Sequence, residues 1–582
     1  MENQTVQVLP PPAIALPVET VRPRVRRLMT NVAIFLGLWV MVTSLQWCSG
    51  GFAGAFGSEA DEPSHYVTGL MIRDYIGAGF PGSPMEFAEN FYLHYPRVAF
   101  GLWPPLFHFA YGAWMFVFGD HRESVLALLA TVTAFWGYAF FRILKPRFGF
   151  GLSLMAAFLL ISLPAVQSGA VTVMLDMAAA LAIFAAMVQY GRFLNTESDR
   201  DALVFGLYAA LAALVKYNGL MLALLPPLCI LLTGRYFLLR RRSFWLPAAV
   251  VLVFAGPWYF AMRGLVFYAA DPGGAVDTLG NMAAGNALEL VRLGGPLLFA
   301  AAIAGAGLAI RNSRRRFNHD FAGGGQANLH IAAVGILGCT WLFHTVLYPI
   351  QGARYHLPAA ASLILLALLA LTAAVRALRL RMPVSRRPME IAAMMMLLFP
   401  YAAFTFHVPR KNTKDFVTVA ERILSLSLPA GSVILVASDA IGEGMFVSEI
   451  AMRGPRNRYF VARSSKFLAL QTLMGQGYQS LFNNGPELMS ALDRVPVSMV
   501  VLDDSVLRET GKHGPLLAKL PGEFPDRWKL LDTVPKESGG QIRMYKLKGN
   551  ETKPFNRLSI DMRYTLGRTI ETPASRGAAS LP

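Results

Sequence analysis

Apolar runs of about 16–20 residues recur along this chain from Met29 to His407. Each reaches or approaches the length a helix needs to cross roughly 30 Å of hydrocarbon. Backbone polar groups in lipid find partners only inside a helix or a closed barrel, so runs of this length dictate a helical bundle. Charged residues are 15% of the 582 positions, against about 25% in soluble proteins. The fold class is therefore a polytopic α-helical membrane protein. The net charge of +17 does not signal nucleic acid, because most arginines of the membrane part sit in short loops between apolar runs. That is a topological pattern, not a phosphate-binding stripe.

The basic clusters order the spans. Arg22, Arg24, Arg26 and Arg27 precede the first run; Arg142, Lys145 and Arg147 follow the second. Arg192 with Arg200, Arg235 with Arg240–Arg242, Arg311 with Arg314–Arg316, and five arginines from Arg376 to Arg387 then follow every second run. Placing all of these in the cytoplasm puts residues 49–123 and the C-terminal region outside. The segment "GLWPPLFHFAYGAWMFVFG" (101–119) would break this alternation if it crossed. It is expected instead to be an interfacial or re-entrant helix with its prolines in the first turn, which leaves about eleven spans. The apolar stretch after Arg27 exceeds an ordinary signal-peptide core, so an uncleaved first helix is expected, although Ser49–Gly57 would also suit a cleavage site.

Four parts follow from this reading. Residues 1–28 are a Pro-rich, disordered cytoplasmic N-terminus, and 29–406 form the membrane domain with 49–123 as its long first outer loop. Residues 407–549 form an extracytoplasmic α/β domain, and 550–582 a flexible tail. In the α/β domain "GSVILVAS", "RYFVAR" and "VSMVVLD" read as buried strands, "GEGMFVSEIAMRG" as a helix, and Gly539–Gly540 as a hairpin turn. Gly442 and Gly444 lack the rest of a nucleotide fingerprint and read as turn glycines. Cys48, Cys229 and Cys339 have neither metal-ligand spacing nor a disulfide framework.

In this topology several polar groups gather at the outer face. Asp61 and Glu62 lie in "SEADEPSHY", with His65 one helical turn on from Asp61. Asp176 opens the fourth span, Lys216 stands at an outer turn, and "YPIQGARYHLP" places Arg354 and Tyr355 at the outer end of the tenth. A carboxylate beside a fixed cation at a membrane surface suits group transfer from a lipid phosphate. The arginine grips and neutralises the phosphate, and the carboxylate takes a proton from the acceptor hydroxyl. A hard divalent cation held by the carboxylates is the alternative way to grip the phosphate. Each residue also has a plainer role: a wet acidic loop, a helix cap for Asp176, an interfacial anchor for Arg354.

The order "DEPSHY", "YP…WPPLFH", "MLDMAAALAIF" and "YPIQGARYHLP" is similar to that of the GT-C superfamily of integral-membrane glycosyltransferases. It resembles in particular the bacterial branch allied to protein O-mannosyltransferases and the lipid A aminoarabinose transferase. The resemblance spans about 29–406. It implies Asp61 or Glu62 as catalytic carboxylate, Pro104-Pro105-Leu106 in a juxtamembrane helix, and Arg354 with Tyr355 as lipid-phosphate contacts. It further implies a polyprenyl-phosphate sugar donor, inversion at the anomeric carbon, and a lipid, glycan or protein acceptor at the outer face of a bacterial inner membrane. Trp103 stands where such proteins often carry His or Lys, so a basic donor contact is expected from His94, Arg97 or Lys216. A secondary transporter and a non-catalytic envelope scaffold are the rival classes. Transporters show repeated halves and polar groups at mid-membrane, and no internal repeat is evident here.

Overall fold

The structure, a computed structural model, describes residues 21–265, 278–317, 327–379, 385–411, 413–472, 477–507, 510–550 and 557–572. The expected disorder of the N-terminus falls largely on 1–20, which lie outside these segments. Among the described residues seven helices are long and apolar enough to cross a membrane. They include α1 (Val21–Cys48), with the outer loop following as α2 (Glu62–Gly77), α3 (Pro84–His94) and α4 (Leu106–Phe118). Next come α5 (Arg122–Ser162), the short α6 (Pro164–Val171) and α7 (Asp176–Thr196). The helix α5 breaks at Gly149 (φ 80°), so its 41 residues supply two apolar segments, 122–148 and 150–162. With α8 (Asp199–Val215) and the apolar segments Tyr217–Thr233 and Arg242–Phe254, the expected spans all have helical counterparts. The chain is a membrane-embedded protein.

Helix α4 takes up 13 residues of segment 101–119, about 20 Å, and ends at Gly119 (φ 87°), whereas Arg242–Phe254 is continued by the helix Gly256–Ala261. Helix α4 lies against α2, and two glycines let the backbones meet. A Cβ on Gly69 would stand 2.9 Å from Tyr111 Cβ, and one on Gly112 would stand 2.6 Å from Ile72 Cγ2.

The C-terminal region builds a five-stranded sheet. In chain order the strands are β1 (Val433–Ala437), β2 (Phe460–Arg463), the short pair β3 (Ala469–Leu470) and β4 (Gln479–Ser480), β5 (Val497–Asp503), β6 (Trp528–Pro535) and β7 (Gln541–Leu547). The sheet order is β2-β1-β5-β7-β6, parallel through the first three and antiparallel after β5. The largely apolar strands β1 and β5 are buried on both faces, as interior strands require. The hairpin between β6 and β7 turns at Gly539 and Gly540, both at positive φ.

Two expectations are corrected here, and a third group of residues gains a packing role. Gly442 and Gly444 are not turn glycines: they lie in the first turns of the helix Ala440–Arg453, where a Cβ on Gly444 would meet Pro63 and Arg97. Residues 557–572, expected within a flexible tail, form the hairpin β8 (Ser559–Asp561) and β9 (Thr569–Glu571), with Leu558, Ile560, Met562 and Ile570 buried. The small residues at 49–57 are packing positions. A Cβ on Gly54 would lie 2.7 Å from the Lys411 carbonyl, and one on Gly57 2.2 Å from Met445 Sδ.

The sheet domain and the outer loop share one core. Phe56, Tyr66, Phe91 and Tyr95 of the loop pack with Ile434, Val436, Phe446 and Ile450. Backbone bonds Ala55 N–H to Thr413 O (2.7 Å) and Lys411 N–H to Ser49 O (2.7 Å) tie the two together. Buried Arg122 pairs with Glu449, and Arg456 reaches Asp74 at 3.0 Å. A roof is thereby fixed over one end of the membrane helices.

Candidate functional site

Asp61 and Glu62 enter α2 side by side but have opposite surroundings. Successive helical residues point about 100° apart, and here that turn separates a cavity from a dry interior. Glu62 is fully buried. One carboxylate oxygen accepts from the Val173 amide (2.9 Å) and pairs with Lys411 Nζ; the other accepts from the Ser58 amide (2.9 Å). Lys411 is itself buried and also donates to the Val171 carbonyl (3.1 Å). Glu62 is thus a structural lock, which corrects its expected place as a catalytic candidate.

Asp61 occupies the N-cap position of α2 yet makes no capping bond. Its side chain is 40% exposed and lies 3.8 Å from Arg354 Nη2. Aspartate at such a position ordinarily caps the helix; this one faces a cavity of about 650 Å³ instead.

Arg354 sits on the turn Ala353–Ala359, entered through Gly352 at φ 139°, a conformation that side chains rarely adopt. Its Nη1 is 3.3 Å from Glu59, and its Nη2 donates to the Tyr355 hydroxyl (2.8 Å). Lys216, at the C-cap of α8, bonds Asp176 (2.5 Å) and stands 5.0 Å from the centroid of the Tyr355 ring. Two cations therefore flank one tyrosine, and each has a carboxylate partner. Asp176 Oδ2 is buried and, among the described residues, has no hydrogen-bond partner. Burial, opposed by Arg354, raises Glu59 above the ordinary carboxylate range.

His65 lines the same cavity, against the Trp103 ring at 4.2 Å. Its Nδ1 is 2.9 Å from His108 Nε2, and His108 Nδ1–H donates to the Pro104 carbonyl (3.3 Å). A neutral His108 bonded in this way offers Nε2 as acceptor, so His65 donates from Nδ1 and keeps Nε2 as an acceptor. Burial and its neighbour His108 hold His65 well below the usual histidine range, so the ring is neutral at pH 7.

His94, expected as a donor contact, is elsewhere. Its Nδ1–H donates to the Tyr459 carbonyl (2.9 Å) and its ring stacks on Phe460 at 4.1 Å, joining α3 to the sheet. Burial lowers its pKa from 6.5 to about 4. The unfolded chain therefore takes up a proton near pH 6.5 that the folded protein refuses until about pH 4. The thermal midpoint is expected to fall as pH drops through that window, and to fall less in His94→Gln; melting curves at pH 7 and pH 4.5 check this.

The structure brings Asp61, His65, Lys216, Arg354 and Tyr355 to one cavity, with Asp176 behind Lys216. It adds residues not expected from the sequence: Glu59, Tyr348, and a far wall made by the C-terminal domain, including Arg463, Lys466 and His513. A second cavity of about 310 Å³ lies on the other side of Arg354 and Tyr355, lined also by Glu59, Asp176 and Gln351. Among the described residues no three His, Cys, Asp or Glu side chains are grouped to hold a metal ion. Glu59 and Asp61 both face Arg354, and a guanidinium between two carboxylates is not a divalent-cation donor set.

No protein-family model matches the chain, and no curated protein matches it. Among solved structures it is similar to ArnT from Cupriavidus metallidurans in the apo state, at 14% identity and a TM-score of 0.51, over 91% of this chain and 100% of that one. The same ArnT bound to undecaprenyl phosphate gives 13% and 0.48, over 90% and 99%. The archaeal oligosaccharyltransferase AglB from Archaeoglobus fulgidus, in complex with an inhibitory peptide and a dolichol-phosphate, gives 13% and 0.49, over 91% and 75%. At these identities the likeness is one of fold, and it extends through the C-terminal domain. The chain shares its overall fold with ArnT.

Proposed function

We propose that this chain is a membrane glycosyltransferase that moves one sugar from a polyprenyl-phosphate donor to an acceptor on the extracytoplasmic face, with Asp61 as base. The observation that carries this reading is an uncommitted carboxylate at a helix start, facing a cavity beside two cations. Fold likeness to ArnT adds an analogy, and the site supplies the chemistry.

In this reading Arg354 and Lys216 hold the donor phosphate. Arg354 now makes only a long contact to Asp61, which a phosphate oxygen replaces with a shorter, charge-assisted bond. That exchange leaves Asp61 free to accept the proton of the acceptor hydroxyl. The acceptor oxygen bonds to the anomeric carbon from the face opposite the phosphate. The carbon–oxygen bond to phosphate breaks, its electron pair leaves with the polyprenyl phosphate, and the configuration inverts. The growing phosphate charge stays with Arg354 and Lys216, and His65 Nε2 is placed to accept from a sugar hydroxyl. The acceptor is a lipid, glycan or protein, and the basic clusters support a cytoplasmic N-terminus and an outer C-terminal domain in a bacterial inner membrane.

Binding of undecaprenyl phosphate to the purified full-length protein tests the donor site. Losing a charge-assisted bond removes about 1.5–3 kcal/mol, so Arg354→Gln is expected to weaken binding by roughly 10–100-fold. Equal affinity in wild type and variant, or no binding by either, contradicts the assignment.

A further inference from the structure

The far wall of the main cavity is cationic for a reason that the donor site does not supply. Arg97 of the outer loop, Arg463 at the end of β2 and Lys466 just beyond it all line it. The segment carrying Arg463 and Lys466 is pinned to Glu443. Buried Glu443 accepts from Arg463 Nε (2.9 Å), Ser464 Oγ (2.8 Å) and the Ser465 amide (2.9 Å), so its charge is already satisfied. Arg97 donates to the Ala440 carbonyl and Lys466 to the Gln471 carbonyl (3.2 Å). Among the described residues neither is in an ion pair. The acid sharing this end is Asp439, which caps the helix at Gly442 (2.7 Å). Three cations thus face one cavity with Glu443 behind them, although gathering them costs free energy through desolvation and mutual repulsion. Burial, aided by Arg463 and Arg97, lowers Lys466 to about 8, and burial aided by Arg463 lowers Arg97 to about 9.

We propose that this wall is an acceptor subsite for a phosphate monoester, which holds an anionic acceptor while its hydroxyl reaches Asp61 at the other end of the cavity. Three clustered cations match a dianion better than a single carboxylate. The assignment rests on the glycosyltransferase reading for the word acceptor; the phosphate subsite itself stands on the geometry of the wall. It also gives the C-terminal domain a role in catalysis, as the part of the fold that chooses what receives the sugar.

The test uses full-length protein with glucose 6-phosphate as probe, and glucose as control at matched ionic strength. Calorimetry is run with and without saturating undecaprenyl phosphate. Glucose 6-phosphate is expected to bind at least about tenfold tighter than glucose, with or without the lipid. Lys466→Gln is expected to remove about tenfold and Lys466→Arg to retain most of the affinity. Three results would overturn the subsite: no preference over glucose, displacement of the sugar phosphate by undecaprenyl phosphate, or unchanged binding in a folded Lys466→Gln. Failure of undecaprenyl phosphate to bind wild type counts against the donor reading and leaves the glucose 6-phosphate result to decide the subsite on its own.

Discussion

Glu62→Gln is expected to yield far less folded protein than Asp61→Asn, although the two substitutions are adjacent and each removes one charge. Glu62 and Lys411 are both buried, with side chains 0% and 2% exposed. Neutralising one partner strands the other charge in a dry interior, which costs about 3–5 kcal/mol, a large share of the 5–15 kcal/mol typical of a folded domain. The loss reaches beyond one contact, because Lys411 is where the chain passes from membrane helices to roof and holds Glu62 and the Val171 carbonyl together. Size-exclusion profiles and melting curves in detergent should show Glu62→Gln aggregated or strongly destabilised. Combining it with Lys411→Met should recover part of the loss by removing the stranded charge. A Glu62→Gln protein that melts like wild type would show that the lock is not needed.

Asp61→Asn is expected to do the reverse: fold normally and lose turnover. Its carboxylate is 40% exposed and makes only a long contact to Arg354, an arrangement worth about 0–1 kcal/mol. Removing a general base lowers the rate by roughly 10²–10⁴. Affinity for the lipid phosphate should stay the same or tighten, because Asn no longer competes for Arg354. Loss of turnover with binding retained is the signature of a base; loss of both would make Asp61 a binding residue. Glu59→Gln offers a second comparison, since Glu59 also faces Arg354 and sits in the neighbouring cavity.

Much of the membrane part was legible because its physics is one-dimensional. Span length and arginine placement located the helices, and paired prolines in a run whose crossing would break the arginine alternation marked α4. The strands β1 and β5 were legible as short, largely apolar runs. What failed was long-range. Glu62 and Asp61 look alike in sequence, and their roles separate only because Lys411, 349 residues away, closes on one of them. His94 carried no local sign that its partner would be the Tyr459 carbonyl. The hairpin at 557–572 did leave a short alternation, Leu558-Ser559-Ile560-Asp561-Met562, inside a stretch whose polar composition dominated the reading. The far wall of the cavity was not legible, because Arg97, Arg463 and Lys466 meet only when the outer loop docks on the sheet.

The most direct test of the central claim is transfer of labelled sugar from a polyprenyl-phosphate donor pool into membranes carrying wild type or Asp61→Asn protein. Label passing to an acceptor with wild type, and falling at least a hundredfold in a variant that is folded and still binds undecaprenyl phosphate, is the predicted result. Equal transfer by the two proteins, or none by wild type from any donor in the pool, would contradict the account.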